Sequence, residues 1–248
     1  MSFAADERFA RVMLLVGEQE FERISSLKIT LVGLGAVGSH ALEALVRYGA
    51  ENIRLVDFDV IKHSNFNRQL LATESNLGKQ KVQAARERAL DINPNANIEC
   101  LEQFCHEESF EDIFDNSPDI VIDAIDGVTP KVKMIAYLKK KGVRVVSSMG
   151  AALAEDPSLI RIGDISETKV CKLAAEIRKR LRYEGISNGV PCVYSIETRK
   201  PASIGAPETD NFERGRERKP MGSSPIVTGC FGYYLAKLAL DCTKENII

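Results

Sequence analysis

The sequence has no stretch of about 18 consecutive apolar residues, so no segment is long enough to cross a bilayer as a helix. Its opening, MSFAADERFARVML, carries acids where a secretion signal needs a basic end and an apolar run, which predicts a cytoplasmic protein without a membrane partner. There is no Cys-x-x-Cys pair. Cys100, Cys105, Cys171, Cys192, Cys230 and Cys242 are scattered along the chain, which argues against a paired-cysteine zinc clamp and for reduced, mostly buried thiols. No internal repeat is present, and a net charge of −2 leaves no basic excess for coating nucleic acid along the whole chain.

The 248 residues, with 44% hydrophobic and 27% charged side chains, sit near the average of soluble globular proteins and suffice for one α/β core. One domain over 1–248 is expected. The charge is unevenly spread: from Lys169 to Lys219 there are 12 Lys or Arg against 7 Asp or Glu, in a chain whose total is negative. That asymmetry points to a polyanionic partner.

Apolar positions at helical spacing predict two short helices within residues 1–26, broken at Gly17. From 27 to 150 the pattern alternates: KITLVG, NIRLVDFD, NIECLEQ, PDIVIDAID and VRVVSSMG read as strands. AVGSHALEALVRYG, GKQKVQAARERALDI, SFEDIF and PKVKMIAYLKKKG read as the helices between them. This rhythm predicts a Rossmann-like α/β fold, a mostly parallel sheet covered by helices on both faces, with ligands at the carboxyl ends of the strands. Past Gly150 the rhythm breaks, and 151–248 is expected to add a mixed extension of the sheet. It comprises strands in SLIRIGDI and CVYSIET, a basic helix TKVCKLAAEIRKRLRYEG, a mobile loop over 199–224, and a closing helix capped by Ser223 or Ser224 with Pro225 in its first turn.

Gly33, Gly35 and Gly38 form G-x-G-x-x-G between a strand and a helix, the context in which glycines let backbone approach a phosphate at a helix N-terminus. A purely structural tight turn is the competing reading. Asp57, 19 positions past Gly38 at the end of the second strand, suits the hydroxyls of a ribose. A dehydrogenase would satisfy all of this. The departure is Asp59 followed by HSNFNRQLL, because Asn67, Arg68 and Gln69 are donors that a nicotinamide does not require and that extra phosphate oxygens do. Lys81, at the head of the next helix, can act as a point charge on a phosphate; for Lys81 or Lys79 alone, a solvated helix charge is the alternative. Strand alternation separates Asp123 from Asp126, and Asp126, farther out beside Gly127, is the better candidate for holding Mg²⁺ together with phosphate oxygens. Capping of the following helix is its competing role.

GLGAVGS, DFDVIKHSNFNRQ, GKQK and DAID resemble, in order and spacing, the adenylating domain of the ubiquitin-activating superfamily, which includes activators of sulfur-carrier proteins. The resemblance implies ATP and Mg²⁺ as cofactors and attack of a substrate carboxylate on the α-phosphate, while the missing Cys-x-x-Cys pairs predict no zinc. It implies Gly33, Gly35 and Gly38 as the nucleotide loop, Asp57 as ribose ligand, and Asp59 as a second acid near the reaction centre. Asn67, Arg68, Gln69 and Lys81 become the phosphate clamp, with Asp126 on magnesium. RFAR at Arg8 to Arg11 is similar to a family motif whose last arginine reaches the neighbouring subunit's phosphates, so Arg11 is a candidate supplied across a homodimer. A plain surface arginine remains the alternative.

The paired cysteines of most sulfur-carrier activators are missing, and Cys171 and Cys192 read as buried structural thiols. RFARVMLLVGEQ, LAAEIRKRLRYEGI, GVPCVYSIE and GSSPIVTGCFGYYLA are instead similar to the tRNA threonylcarbamoyladenosine dehydratases. That likeness implies a carboxylate carried on a tRNA adenosine, activated by ATP and then closed into a ring by a nitrogen of the same modification. It also implies, in some members, a sulfur-transfer protein partner. Arg178, Lys179, Arg180 and Arg182 end the basic helix, where they suit the helix dipole and can contact tRNA phosphates; a solvated helix end is the competing reading. ERGRERK, near Lys219, is a candidate second contact. The alternatives are adenylation of a ubiquitin-like protein's C-terminus, an NAD-dependent oxidoreductase, and a non-catalytic RNA binder.

Overall fold

The Ile- and Val-rich runs become strands because their branched side chains pack on a sheet buried from both sides. They are β1 (Lys28–Val32), β2 (Asn52–Val56), β3 (Asn97–Leu101), β4 (Ile120–Asp123), β5 (Arg144–Ser148), β6 (Ile160–Asp164) and β7 (Pro191–Ser195). In the computed structural model, which describes residues 7–198 and 221–244, they form one sheet in the order β3-β2-β1-β4-β5-β7-β6. All neighbouring pairs are parallel except β6 with β7. The mostly parallel core and its mixed C-terminal extension are therefore as expected.

The helices are α1 (Ala10–Val16), α2 (Glu18–Ser26), α3 (Gly38–Arg47), α4 (Lys81–Ile92), α5 (Phe110–Ile113), α6 (Val128–Lys140), α7 (Lys172–Tyr183) and α8 (Pro225–Cys242). Strand alternation divides the core in two. Ile29, Leu31, Ile53, Leu55, Ile120 and Ile122 face α3, α4 and α8, while Val32, Val56, Val121 and Val145 face α5, α6 and α7. Gly17 separates α1 from α2, Ser224 is the N-cap of α8 and Pro225 its first residue.

Although α8 lies late in the chain, it packs on α3 of the nucleotide half, and the approach requires Gly232. A Cβ there would lie 2.6 Å from both the His40 Cβ and the Val37 carbonyl oxygen. The expected loop at 199–224 and its ERGRERK segment fall outside the described residues, except for Met221 to Ser224. Its flanks are tied to the carboxyl end of the sheet. The Glu197 carboxylate accepts from the backbone N–H of Glu155 and Asp156, and Leu153 N–H donates to the Gly222 carbonyl at 2.9 Å. Among the described residues no helix is long and apolar enough to cross a membrane.

Candidate active site

Gly33 follows β1 with φ 93° and lies so close to the end of β4 that a Cβ would meet the Ala124 carbonyl oxygen at 2.8 Å. Gly38 opens α3 against the Gly33 carbonyl, leaving no room for a side chain. No side chain caps α3; in its first turn Ser39 N–H donates to the Gly35 carbonyl at 3.1 Å, and the helix N-terminus faces the glycine loop, where its positive end suits an anionic ligand. Ser39 Oγ donates to the Gly35 carbonyl at 2.7 Å and accepts from Leu70 N–H at 3.2 Å, pinning the NRQ segment to the glycine loop.

Asp57, one residue past β2, spans the loop from the other side. Its Oδ2 accepts from Leu34 N–H at 2.6 Å and its Oδ1 from Asp59 N–H at 2.9 Å. Burial pushes its carboxyl group up from the ordinary aspartate range, against the pull of Lys81 and the two amides. Lys81 is the first residue of α4 and is buried; its Nζ donates to Asp59 Oδ2 at 2.9 Å, and its backbone N–H donates to the Asp59 carbonyl. This excludes a solvated role for Lys81. Lys79 is half-exposed and paired with Glu87 at 2.8 Å, so the solvated reading holds there.

The NRQ segment turns back through Gln69 N–H to the Asn65 carbonyl at 2.9 Å. Gln69 is buried, its Oε1 without a hydrogen-bond partner among the described residues, and its amide reaches toward Gly35. Arg68 Nη1 donates to the Ser64 carbonyl and to Asn67 Oδ1, both at 2.8 Å, and Asn67 Nδ2 donates to the Ser223 carbonyl at 3.2 Å. His40, half-buried beside Tyr233 and hydrogen-bonded to the Arg68 backbone, has its pKa lowered by burial. Glycine loop, Asp59–Lys81 pair and NRQ segment thus converge at one end of the sheet.

At the end of β4, Asp123 and Asp126 have different fates. Asp123 is completely buried: its Oδ2 receives Lys131 Nζ at 2.6 Å and Ser147 Oγ at 2.6 Å, and its Oδ1 receives Ile125 N–H at 3.1 Å. Asp126 lies beyond the strand and is exposed. The N-cap position of α6 is Gly127, one residue past Asp126. Sequence reasoning missed Lys131. The available signal was a lysine at the head of the stripe formed with Met134, Ile135 and Leu138, at i, i+3, i+4 and i+7 of a core-facing helix.

Arg11 is exposed on α1 and is not part of the site in its own chain. Its neighbours Arg8 and Phe9 line a cleft with Arg47 and Arg88, at the end of α3 roughly 15 Å from the glycine loop. The four expected tRNA contacts also divide. Arg178 is half-buried, its guanidinium donating to the Ile165 and Thr168 carbonyls and the Thr168 hydroxyl; that is a structural tie, and the basic surface consists of exposed Lys179, Arg180 and Arg182. Cys171 and Cys192 are buried, so neither sulfur is open to solvent, and burial pushes the Cys192 thiol up to about 12.

The ThiF family model matches residues 9–240. The tRNA threonylcarbamoyladenosine dehydratase of Bacillus subtilis is 39% identical over 77% of this chain and 75% of its own. The Escherichia coli protein of that name is 32% identical over 97% of this chain and 94% of its own. The crystal structure of E. coli tRNA N6-threonylcarbamoyladenosine dehydratase in complex with ATP superposes with a TM-score of 0.87 at 31% identity, covering 98% of this chain and 96% of that one. The chain belongs to the ThiF family, in the branch of the tRNA threonylcarbamoyladenosine dehydratases.

Proposed function

We propose that this protein uses ATP to adenylate the carboxylate of threonylcarbamoyladenosine in tRNA and then cyclises it, with net loss of water. One observation carries the reading: beyond the ribose carboxylate Asp57, the pair of buried Lys81 with half-buried Asp59 and the NRQ segment stand beside the glycine loop. A dinucleotide oxidoreductase has no use for that second set of donors. The ATP-bound E. coli relative supports the choice of nucleotide.

In the first step a carboxylate oxygen of the modification attacks the α-phosphorus and the bond to pyrophosphate breaks. Carboxylate and triphosphate repel one another, so the protein must supply preorganised positive charge and donors. Arg68, Lys81, Asn67 and Gln69 supply them, and the amides at the start of α3 add a further anion cradle. In the second step a nitrogen of the same modification attacks the activated carbonyl, loses its proton, and AMP departs. An intramolecular nucleophile needs no enzyme thioester, in keeping with the buried Cys171 and Cys192.

A divalent cation fits the carboxyl end of β4. Among the described residues no group of three or more His, Cys, Asp or Glu could hold a metal alone, so exposed Asp126 would share Mg²⁺ with phosphate oxygens. Bound there, the ion would neutralise charge developing on the phosphates.

The working form is a homodimer in the cytoplasm. Leu14 and Leu15 on α1 are 86% and 75% exposed next to Arg11, an apolar surface that a second copy would cover while bringing Arg11 to its phosphates. Pyrophosphate exchange tests the reaction. Exchange should require tRNA bearing threonylcarbamoyladenosine and should vanish in R68A with tRNA affinity retained. Exchange that requires a ubiquitin-like carrier and ignores tRNA would establish the alternative.

A further inference from the structure

The last turn of α7 meets the first turns of α6 in a cleft of about 190 Å³ lined by Thr129, Val132, Lys133, Arg180, Tyr183 and Glu184. Thr129 lies three residues past Asp126, so the cleft begins at the rim of the candidate active site. Arg180 is held across it, paired with Glu176 at 2.6 Å and donating to Thr129 Oγ1 at 3.1 Å. Glu184 is neutralised by Lys133 at 3.0 Å and Lys140 at 3.6 Å. Lys179 and Arg182 have no ion-pair partner among the described residues. Among these charges Tyr183 is 81% exposed.

An aromatic ring this exposed buries little in its own chain, and one flanked by Lys179, Arg180 and Arg182 in sequence suits a ligand that combines flat apolar faces with negative charge. Single-stranded RNA is such a ligand, its bases stacking on aromatics and its phosphates pairing with Lys and Arg. A nucleotide drawn out of its stack toward the adenylating site leaves its neighbours free to be held elsewhere. We infer that the α6–α7 cleft is a base-stacking platform of the RNA substrate, with an unpaired nucleotide flanking the modified adenosine stacked on Tyr183 and its phosphates held by Lys179, Arg180 and Arg182. The inference rests on the tRNA reading above.

Fluorescence anisotropy with threonylcarbamoyladenosine-bearing tRNA tests it. Y183A should weaken binding between about fivefold and a hundredfold, Y183W should retain it, and both should bind ATP as the wild type does. R182A should instead reduce the slope of log affinity against log salt by about one, a slope Y183A leaves unchanged. Wild-type tRNA affinity in Y183A would overturn the platform and leave the function standing, whereas no tRNA binding by the wild type would overturn both. Loss of ubiquitin-like carrier binding in Y183A, with tRNA binding intact, would reassign the cleft to a protein partner.

Discussion

K131M removes one partner of the most deeply buried ion pair described. Lys131 and Asp123 side chains have no solvent exposure, and the ammonium serves three acceptors: Asp123 Oδ2 at 2.6 Å, Ser147 Oγ at 3.2 Å and the Ser148 carbonyl at 3.0 Å. Methionine fills much the same volume but leaves the Asp123 carboxylate in the core with only Ser147 Oγ and Ile125 N–H. Breaking a buried pair from one side costs about 3–5 kcal/mol. At about 2–4 °C per kcal/mol for a chain of this size, Tm should fall by roughly 6–20 °C. Replacing both residues is far cheaper, because no buried charge is stranded, so K131M/D123L should recover most of the loss. The single variant should also weaken ATP-dependent activity, since Asp123 fixes the Ile125 amide next to Asp126. Urea and thermal unfolding of both variants decide the matter. A K131M cost below about 1 kcal/mol, or a double variant no better than the single, would refute the assignment.

Other perturbations separate site from scaffold. K81M should lower pyrophosphate exchange by about 10²–10³, the usual cost of losing one preorganised charge-stabilising donor, while circular dichroism stays native. Glu43 is buried between Arg88 and Arg47; burial raises its pKa, but the two guanidiniums outweigh that and hold it below the ordinary value of 4.5. A depressed carboxyl group stabilises the fold above its unfolded pKa and loses that contribution as pH falls through the folded one. E43Q should therefore lower the urea midpoint at pH 7, with a deficit that shrinks below pH 4.5. With the Cys192 thiol pushed up to about 12 and buried, iodoacetamide at pH 8 should spare Cys192 and Cys171 in the native state and alkylate both in urea, as read by peptide mass spectrometry.

The sheet was legible because its strands are short, branched and separated by helices at regular spacing, and each predicted strand from KITLVG to VRVVSSMG recurs in place. Lys81 was nominated by its place at a helix head, but spacing alone could not tell a phosphate ligand from a solvated charge. Its position suited a solvated helix start, and its burial depends on Asp59 reaching it from 22 residues earlier. Lys131 was hidden for the same reason, since pairing with Asp123 and Ser147 is a property of adjacent strands, not of local spacing. Within the basic run EIRKRLR the charges read alike, but the helix turns Arg178 toward the Thr168 carbonyl while Lys179 and Arg182 face outward. Gly232 shows the converse: a residue without chemistry whose place against Val37 and His40 seats α8 beside the nucleotide helix.

The central claim is that the phosphate clamp serves a carboxylate on tRNA. Its most direct test is mass spectrometry of tRNA nucleosides after incubation of threonylcarbamoyladenosine-bearing tRNA with the protein, ATP and Mg²⁺. The account predicts conversion of that nucleoside to a product lighter by one water, in step with AMP formation, and none with R68A or without ATP. An unchanged nucleoside in the presence of active, ATP-bound protein would contradict it.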